Sequence, residues 1–252
     1  MSDNPVDPME SARRGQRPEQ ARRFYKKAAA GPHENGFALF LDAKMVKTPG
    51  RKPLAVANRE VADALAAEWD EQGERIDPFT MPVTRIVNAA IDRVAGEMTG
   101  VRAEIVKYAG TDLVCYRVEA PPSLLDAQDA AWSPLVAWAR EALGARFVLA
   151  TGVVPVRQED GALTAINRAV APFDVLPLTA LSAVTTLTGS AVIALALARG
   201  RLSAEEAWSA AHVDEDWQIS QWGRDEAAIL ARAFRWREMA AAALILQASE
   251  TG

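Results

Sequence analysis

The stretch VLPLTALSAVTTLTGSAVIALALA, residues 175–198, carries no charge and sets the first choice for the whole chain. It is long enough to span a bilayer. However, Pro177, Gly189, two serines and four threonines interrupt it, and its apolar character is mild. The break at TGS predicts two short helices, with Ser190 as N-cap of the second. Two helices buried in a protein core follow from that pattern, and no membrane insertion is expected.

The segments on either side predict what packs around those helices. GFALFLDAKMVKTP (36–49) alternates and then turns, with Phe37, Leu39 and Leu41 on one strand face and Asp42-Ala43-Lys44 at the reversal. KPLAVA (52–57) offers a third short strand, and Pro49 and Pro53 restrict this meander to edges and ends. Helical periodicity begins at Asn58, which reads as the N-cap of NREVADALAAEWDEQG, with Val61, Leu65 and Trp69 on its apolar stripe. Further helices are expected from Pro82, over 101–108, and over 123–144, where Ser123 and Asp126 resemble a capping box and Pro134 should kink the helix. RFVLATGVVPVRQ (146–158) could return to the small sheet as a strand. From Leu163 onward the pattern is helical, and Ser203 with Glu206 forms a second capping box. The expected class is α+β, mostly α. A tail over 1–21 precedes a β-rich N-terminal α/β domain with a short antiparallel sheet over 22–80, and a C-terminal helical bundle occupies 81–252.

Charge is distributed unevenly. Residues 1–60 hold 12 Lys/Arg against 7 Asp/Glu, whereas the remainder holds 16 against 26. The larger acidic part argues against a nucleic-acid partner. The first 21 residues lack the apolar core of a secretory signal. They also contain Asp3, Asp7, Glu10 and Glu19, unlike an acid-poor mitochondrial presequence. A disordered tail in front of a cytoplasmic protein is the expectation. The single cysteine, Cys115, lies among apolar residues in TDLVCYRV and reads as a buried, inert thiol.

The chemistry-bearing motifs are few. There is no glycine-rich phosphate loop, no G-x-S-x-G, no H-E-x-x-H and no C-x-x-C pair. His33 falls in a turn, so a histidine-dependent site would have to use His212. That residue opens HVDEDWQISQWGRDEA (212–227), a segment with five acids and two tryptophans. On a helix, His212, Glu215 and Asp216 would share a face, and a metal-dependent hydrolase centred on them is one reading. With no second histidine near and no other thiol, the metal reading is weak, and neither a catalytic residue nor a cofactor is expected. The stronger reading is a protein-binding face, since tryptophan is enriched at the energetic centres of interfaces. Against it, Trp208, Trp217 and Trp222 could equally be packing core. Asp225 and Glu226 could simply start the helix after Gly223.

Taken in order, RRFYKKA (22–28), LDAKMVKTP (41–49), AAEWDEQGERIDPFTMPVTRIVNAAID (66–92), YAGTDLVCYR (108–117) and DEDWQISQWGRDEA (214–227) resemble the assembly chaperones of the ATP synthase F(1) sector. The resemblance runs from about residue 22 to 247. It implies that the C-terminal helical bundle is orthogonal. It also implies a non-enzymatic bacterial protein, a monomer of the cytoplasm, that binds the free α subunit and assists assembly of the hexamer with β. An adaptor for some other partner is the alternative within the same class. The resemblance places Asp214, Glu215, Gln218, Trp222, Gly223, Asp225 and Glu226 in the C-terminal signature, of which Asp214, Glu215, Gln218, Trp222, Asp225 and Glu226 are the expected partner contacts. Glu68 and Trp69, with Thr111, Asp112, Val114, Cys115 and Tyr116, read as structural. Ala43 stands where the family would be expected to carry a turn glycine.

Overall fold

Strands β1 (Ala28–His33) and β2 (Gly36–Leu41) form an antiparallel hairpin, with Ala28 opposite Leu41 and His33 opposite Gly36. The computed structural model describes residues 20–152, 156–223 and 225–250, so the expected tail over 1–21 lies almost wholly outside the described residues. β2 also pairs with β3 (Lys44–Met45) and β4 (Ala55–Val56), completing a four-stranded antiparallel sheet. The reversal at Asp42 is left-handed (φ 54°), a conformation that aspartate tolerates better than most residues. Its carboxylate accepts the backbone N–H groups of Lys26 and Lys27.

Helix α1 (Arg59–Asp70) covers this sheet. Asn58 caps it through the Glu60 and Val61 N–H groups, and Val61, Ala62, Leu65 and Ala66 are buried. α2 (Pro82–Ala89) starts where the Glu68 carboxylate accepts the Val83 and Thr84 N–H groups, at 2.6 and 2.8 Å. A carboxylate at that position satisfies orphan donors and meets the positive end of the helix dipole. α2 then continues through a π-turn, Ala90–Val94, into α3 (Ala95–Ala109). The sequence pattern separates these pieces, but burial of Val87, Ala90, Val94 and Ile105 keeps the run helical across a kink at Glu97.

α4 (Pro122–Trp138) carries Pro134 inside it without ending there, and Ser123 and Asp126 form no capping box. The segment 146–158 does provide a strand, β6 (Ala150–Thr151). It pairs in parallel with β5 (Tyr116–Arg117), apart from the four-stranded sheet. α5 (Asp160–Val170) leads to the uncharged stretch, which forms two helices as expected: α6 (Val175–Thr188) and α7 (Ala191–Ala198). Gly189 separates them at φ 66°, in the left-handed region that suits glycine, and Ser190 caps α7. The buried threonines of α6 are satisfied within the helix. Thr179, Thr185 and Thr188 donate to the carbonyls four residues earlier at 2.7–2.8 Å. No helix among the described residues is long and apolar enough to cross a membrane.

Asp112 ties the TDLVCY segment to this break. It is fully buried and accepts N–H groups from Val114 and from Val192 at the start of α7, at 3.2 and 3.1 Å. Beside it Cys115 is buried, and desolvation pushes its thiol up to about 12, so it stays protonated. The remaining helices are α8 (Ala204–Ala211), α9 (Val213–Trp222) and α10 (Glu226–Glu250). One continuous apolar cluster runs from the sheet and α1 through α6 and α7 to the second half of α10. The fold is thus mostly helical with a small antiparallel sheet.

Candidate functional site

The Ser203/Glu206 capping box is formed reciprocally and fixes the start of α8. α8 delivers Trp208 into a cluster at the base of the C-terminal segment. The Trp208 ring lies 3.9 Å from His212 and 5.5 Å, edge-on, from Trp236 of α10. His212 is only 3 % exposed, and its Nδ1 donates to the Trp208 carbonyl at 2.7 Å. Burial holds its pKa below the ordinary imidazole value, so the ring is neutral at pH 7. It sits at the joint between α8 and α9.

From that joint α9 and α10 run as an antiparallel hairpin turning at Gly223. Glu215 pairs with Arg235 at 3.3 Å, and Asp216 pairs with Arg232. No residue of α9 is buried. The first turns of α10 are exposed on every side, and Met239 is the first of its residues to be buried. The result is a helical hairpin standing on the bundle. Two polar contacts to α4 root it. Gln128 donates to Asp214 at 2.7 Å while accepting the Val118 N–H, and the Trp217 indole donates to Ser123 at 3.1 Å.

The six expected contact residues therefore have different duties. Asp214 is half-buried and tied to Gln128. Glu215 is exposed and ion-paired. Asp225 accepts the Ala228 N–H at 3.0 Å and so caps α10. Gln218, Trp222 and Glu226 are exposed, and no hydrogen bond or ion pair engages their side chains among the described residues. Trp222 is 75 % exposed, and its ring meets that of Trp217 edge-on at 5.7 Å. Trp208 is core, which resolves one of the three tryptophans.

The metal reading fails on geometry. Nδ1 of His212 serves the Trp208 carbonyl, Nε2 lies 4.0 Å from Glu215, and Glu215 and Asp216 are both held by arginines. Among the described residues no group of three or more potential ligands gathers at metal-binding distance.

Sequence reasoning missed an apolar ridge on the same hairpin. Ile229, Leu230 and Phe234 of α10 are exposed, Leu230 by 72 %, and the Phe234 ring meets the exposed Phe79 at 6.4 Å. In AAILARAF these residues pass for core, because spacing alone cannot distinguish a covered stripe from a bare one. The ridge has acids at its tip and Arg85, paired with Glu238, at its foot. Such a surface can grip another protein's apolar face.

Comparison with known proteins leads to the same kind of molecule. The family profile described as ATP12 chaperone protein matches residues 22–140. The crystal structure of a candidate chaperone from Agrobacterium tumefaciens is 42 % identical, covering 96 % of this chain and 91 % of that one, with a TM-score of 0.87. The crystal structure of Atp12 from Paracoccus denitrificans is 39 % identical, covering 91 % and 98 %, with a TM-score of 0.82. An aspartate-to-lysine variant of that Paracoccus protein superposes equally well, at 38 % identity.

Proposed function

The chain belongs to the ATP12 chaperone family, and on that premise we propose that it holds the free α subunit of the ATP synthase F(1) sector until that subunit pairs with β. The observation that carries this reading is the bare hairpin, on which Trp222 and Leu230 are each more than 70 % exposed. An orphan subunit of a hexamer exposes an apolar face that must be covered or it self-associates. An exposed apolar ridge with an acidic tip provides such a cover without any catalytic step. Asp214, Glu215, Gln218, Trp222, Asp225 and Glu226 form or support this surface. Trp222, Gln218 and Glu226 are the direct contacts, while Asp214, Glu215 and Asp225 hold the hairpin that presents them. The protein acts as a monomer in the cytoplasm, and β releases the client by competing for the same face.

Purified protein mixed with free α subunit should form a complex on gel filtration, whereas intact F(1) should not retain it. Absence of a complex with free α at mild salt would sink this reading. Replacing Asp214 or Asp225 would disturb the hairpin itself, so the clean variant is Trp222→Ala with Glu226→Lys. It should weaken the complex with the helical circular dichroism unchanged.

A further inference from the structure

A second surface, on the opposite charge side of the molecule, is built with equal care. In RRFYKK (22–27) the side chains alternate: Arg23 and Tyr25 turn inward, while Arg22, Phe24 and Lys26 face solvent. The segment lies strand-like against residues 74–76, through the Arg23 N–H to the Glu74 carbonyl and the Ile76 N–H to the Ala21 carbonyl, both 2.9 Å. The Arg23 guanidinium donates to the carbonyls of Tyr25, Lys26, Asp70 and Gln72 and pairs with the Asp70 carboxylate. Tyr25 donates its hydroxyl to the Trp69 carbonyl at 2.6 Å. Asp42 closes the other side by accepting the Lys26 and Lys27 amides.

This scaffold fixes the backbone around one large apolar side chain that it leaves bare. Phe24 is 74 % exposed, and its ring meets that of Tyr25 edge-on at 5.4 Å. Arg22, Lys26 and Lys27 flank it in the chain, and Lys44 follows the Asp42 reversal that accepts the Lys26 and Lys27 amides; all four are exposed, and none has an ion-pair partner among the described residues. The carboxylates of Asp42 and Asp70, which bond to this segment, are occupied by backbone amides and by Arg23. Unpaired cations around a rigid aromatic call for a partner with the complementary arrangement, an apolar pocket ringed by carboxylates. Rigidity distinguishes the class of partner. A lipid surface gains nothing from a pre-set backbone, whereas a shaped protein pocket does, because ordering costs are removed in advance.

We propose that the loop 22–27 is a second docking element, in which Phe24 enters an acid-ringed apolar pocket on the client α subunit while Lys26 and Lys27 meet its rim. This rests on the α-subunit reading above and assigns the basic N-terminal region a share in it. The test titrates the full-length protein with purified free α subunit, comparing Phe24→Ala, Phe24→Leu and Lys26→Glu/Lys27→Glu with the wild type. Phe24→Ala should weaken binding about tenfold, as loss of an aromatic anchor does, and Phe24→Leu should restore part of it. The double glutamate variant should weaken binding about tenfold at low salt and flatten its salt dependence. All three should keep the wild-type thermal midpoint, since the altered side chains lie outside the core. Unchanged affinity of the variants for α, with the wild type binding, overturns this contact and leaves the α reading standing. Failure of the wild type to bind α overturns both. If the variants instead lose binding to phosphatidylserine vesicles while α binding is untouched, the loop faces lipid and the proposal is overturned.

Discussion

Helices α7 and α9 have eight and ten residues and are held by opposite means. Every residue of α7 is buried, its first turn is capped by Ser190, and Asp112 reaches it from a distant segment. α9 buries none of its residues and is kept in place by two ion pairs to α10 and two hydrogen bonds to α4. Burial of a whole helix contributes through every side chain, whereas exposed ion pairs contribute about 0.2–1 kcal/mol each. The core helix therefore shares the global stability of the protein, and the hairpin opens locally at much lower cost. A binding element of this kind can adapt to its client without endangering the scaffold.

The comparison breaks most visibly at the core. Ile193→Ala removes a fully buried side chain and should lower unfolding stability by about 3 kcal/mol, read from denaturant midpoints. A loss below about 1 kcal/mol would mean that α7 is not held by packing. Next comes Asp112→Asn, which sets an amide N–H₂ against backbone N–H donors and should cost about 2 kcal/mol. Its pH dependence has a definite sign. Burial pushes the Asp112 carboxyl up to about 6, against hydrogen bonds from Ser190, Val192, Val114 and Ala191. The folded state thus binds this proton more tightly than the unfolded chain. That contribution is fully present below about pH 4 and is lost as pH rises through about 6. The deficit of Asp112→Asn relative to the wild type should therefore be larger at pH 5 than at pH 7.5. An equal deficit at both would refute the assignment.

On the hairpin the expected effects are smaller and of another kind. Arg232→Ala removes the partner of Asp216 and should change global stability by less than about 1 kcal/mol. Amide exchange in α9 should quicken while that in α7 stays as it was. Equal acceleration in both helices would show that the hairpin and the core unfold together. Smallest of all, Trp222→Ala should leave the unfolding midpoint unchanged, because the side chain is mostly in water. Its effect belongs to binding, and a clear drop in midpoint would place the indole in the packing.

Much of the scaffold could be read from residue patterns, and the reasons are local. Asn58, Ser190 and the Ser203/Glu206 pair sit immediately before apolar helical runs, and a cap is decided within four residues. The division of 175–198 into two buried helices followed from Gly189 and the interspersed threonines. What escaped depends on contacts distant in sequence. Pro134 is accommodated inside α4, and Ala150–Thr151 pairs with β5, because neighbours far along the chain decide both. The acids of 214–226 looked alike in sequence. Only packing separated Asp214, matched to Gln128, from Glu226, which faces solvent. The ridge of Ile229, Leu230 and Phe234 has the composition of a core stripe, and its exposure is set by contacts distant in sequence, of which Phe79 against Phe234 is one.

α10 also has a bearing on how the protein is made. It fastens to elements made much earlier: near its end the Ala248 carbonyl accepts the Asn58 side-chain amide at 2.8 Å, and at its middle Glu238 pairs with Arg85 of α2. A nascent chain leaving the ribosome holds Asn58 and Arg85 ready long before their acceptors exist. α2 gains its fastening only once synthesis has passed residue 238, and the start of α1 only once it has passed residue 248.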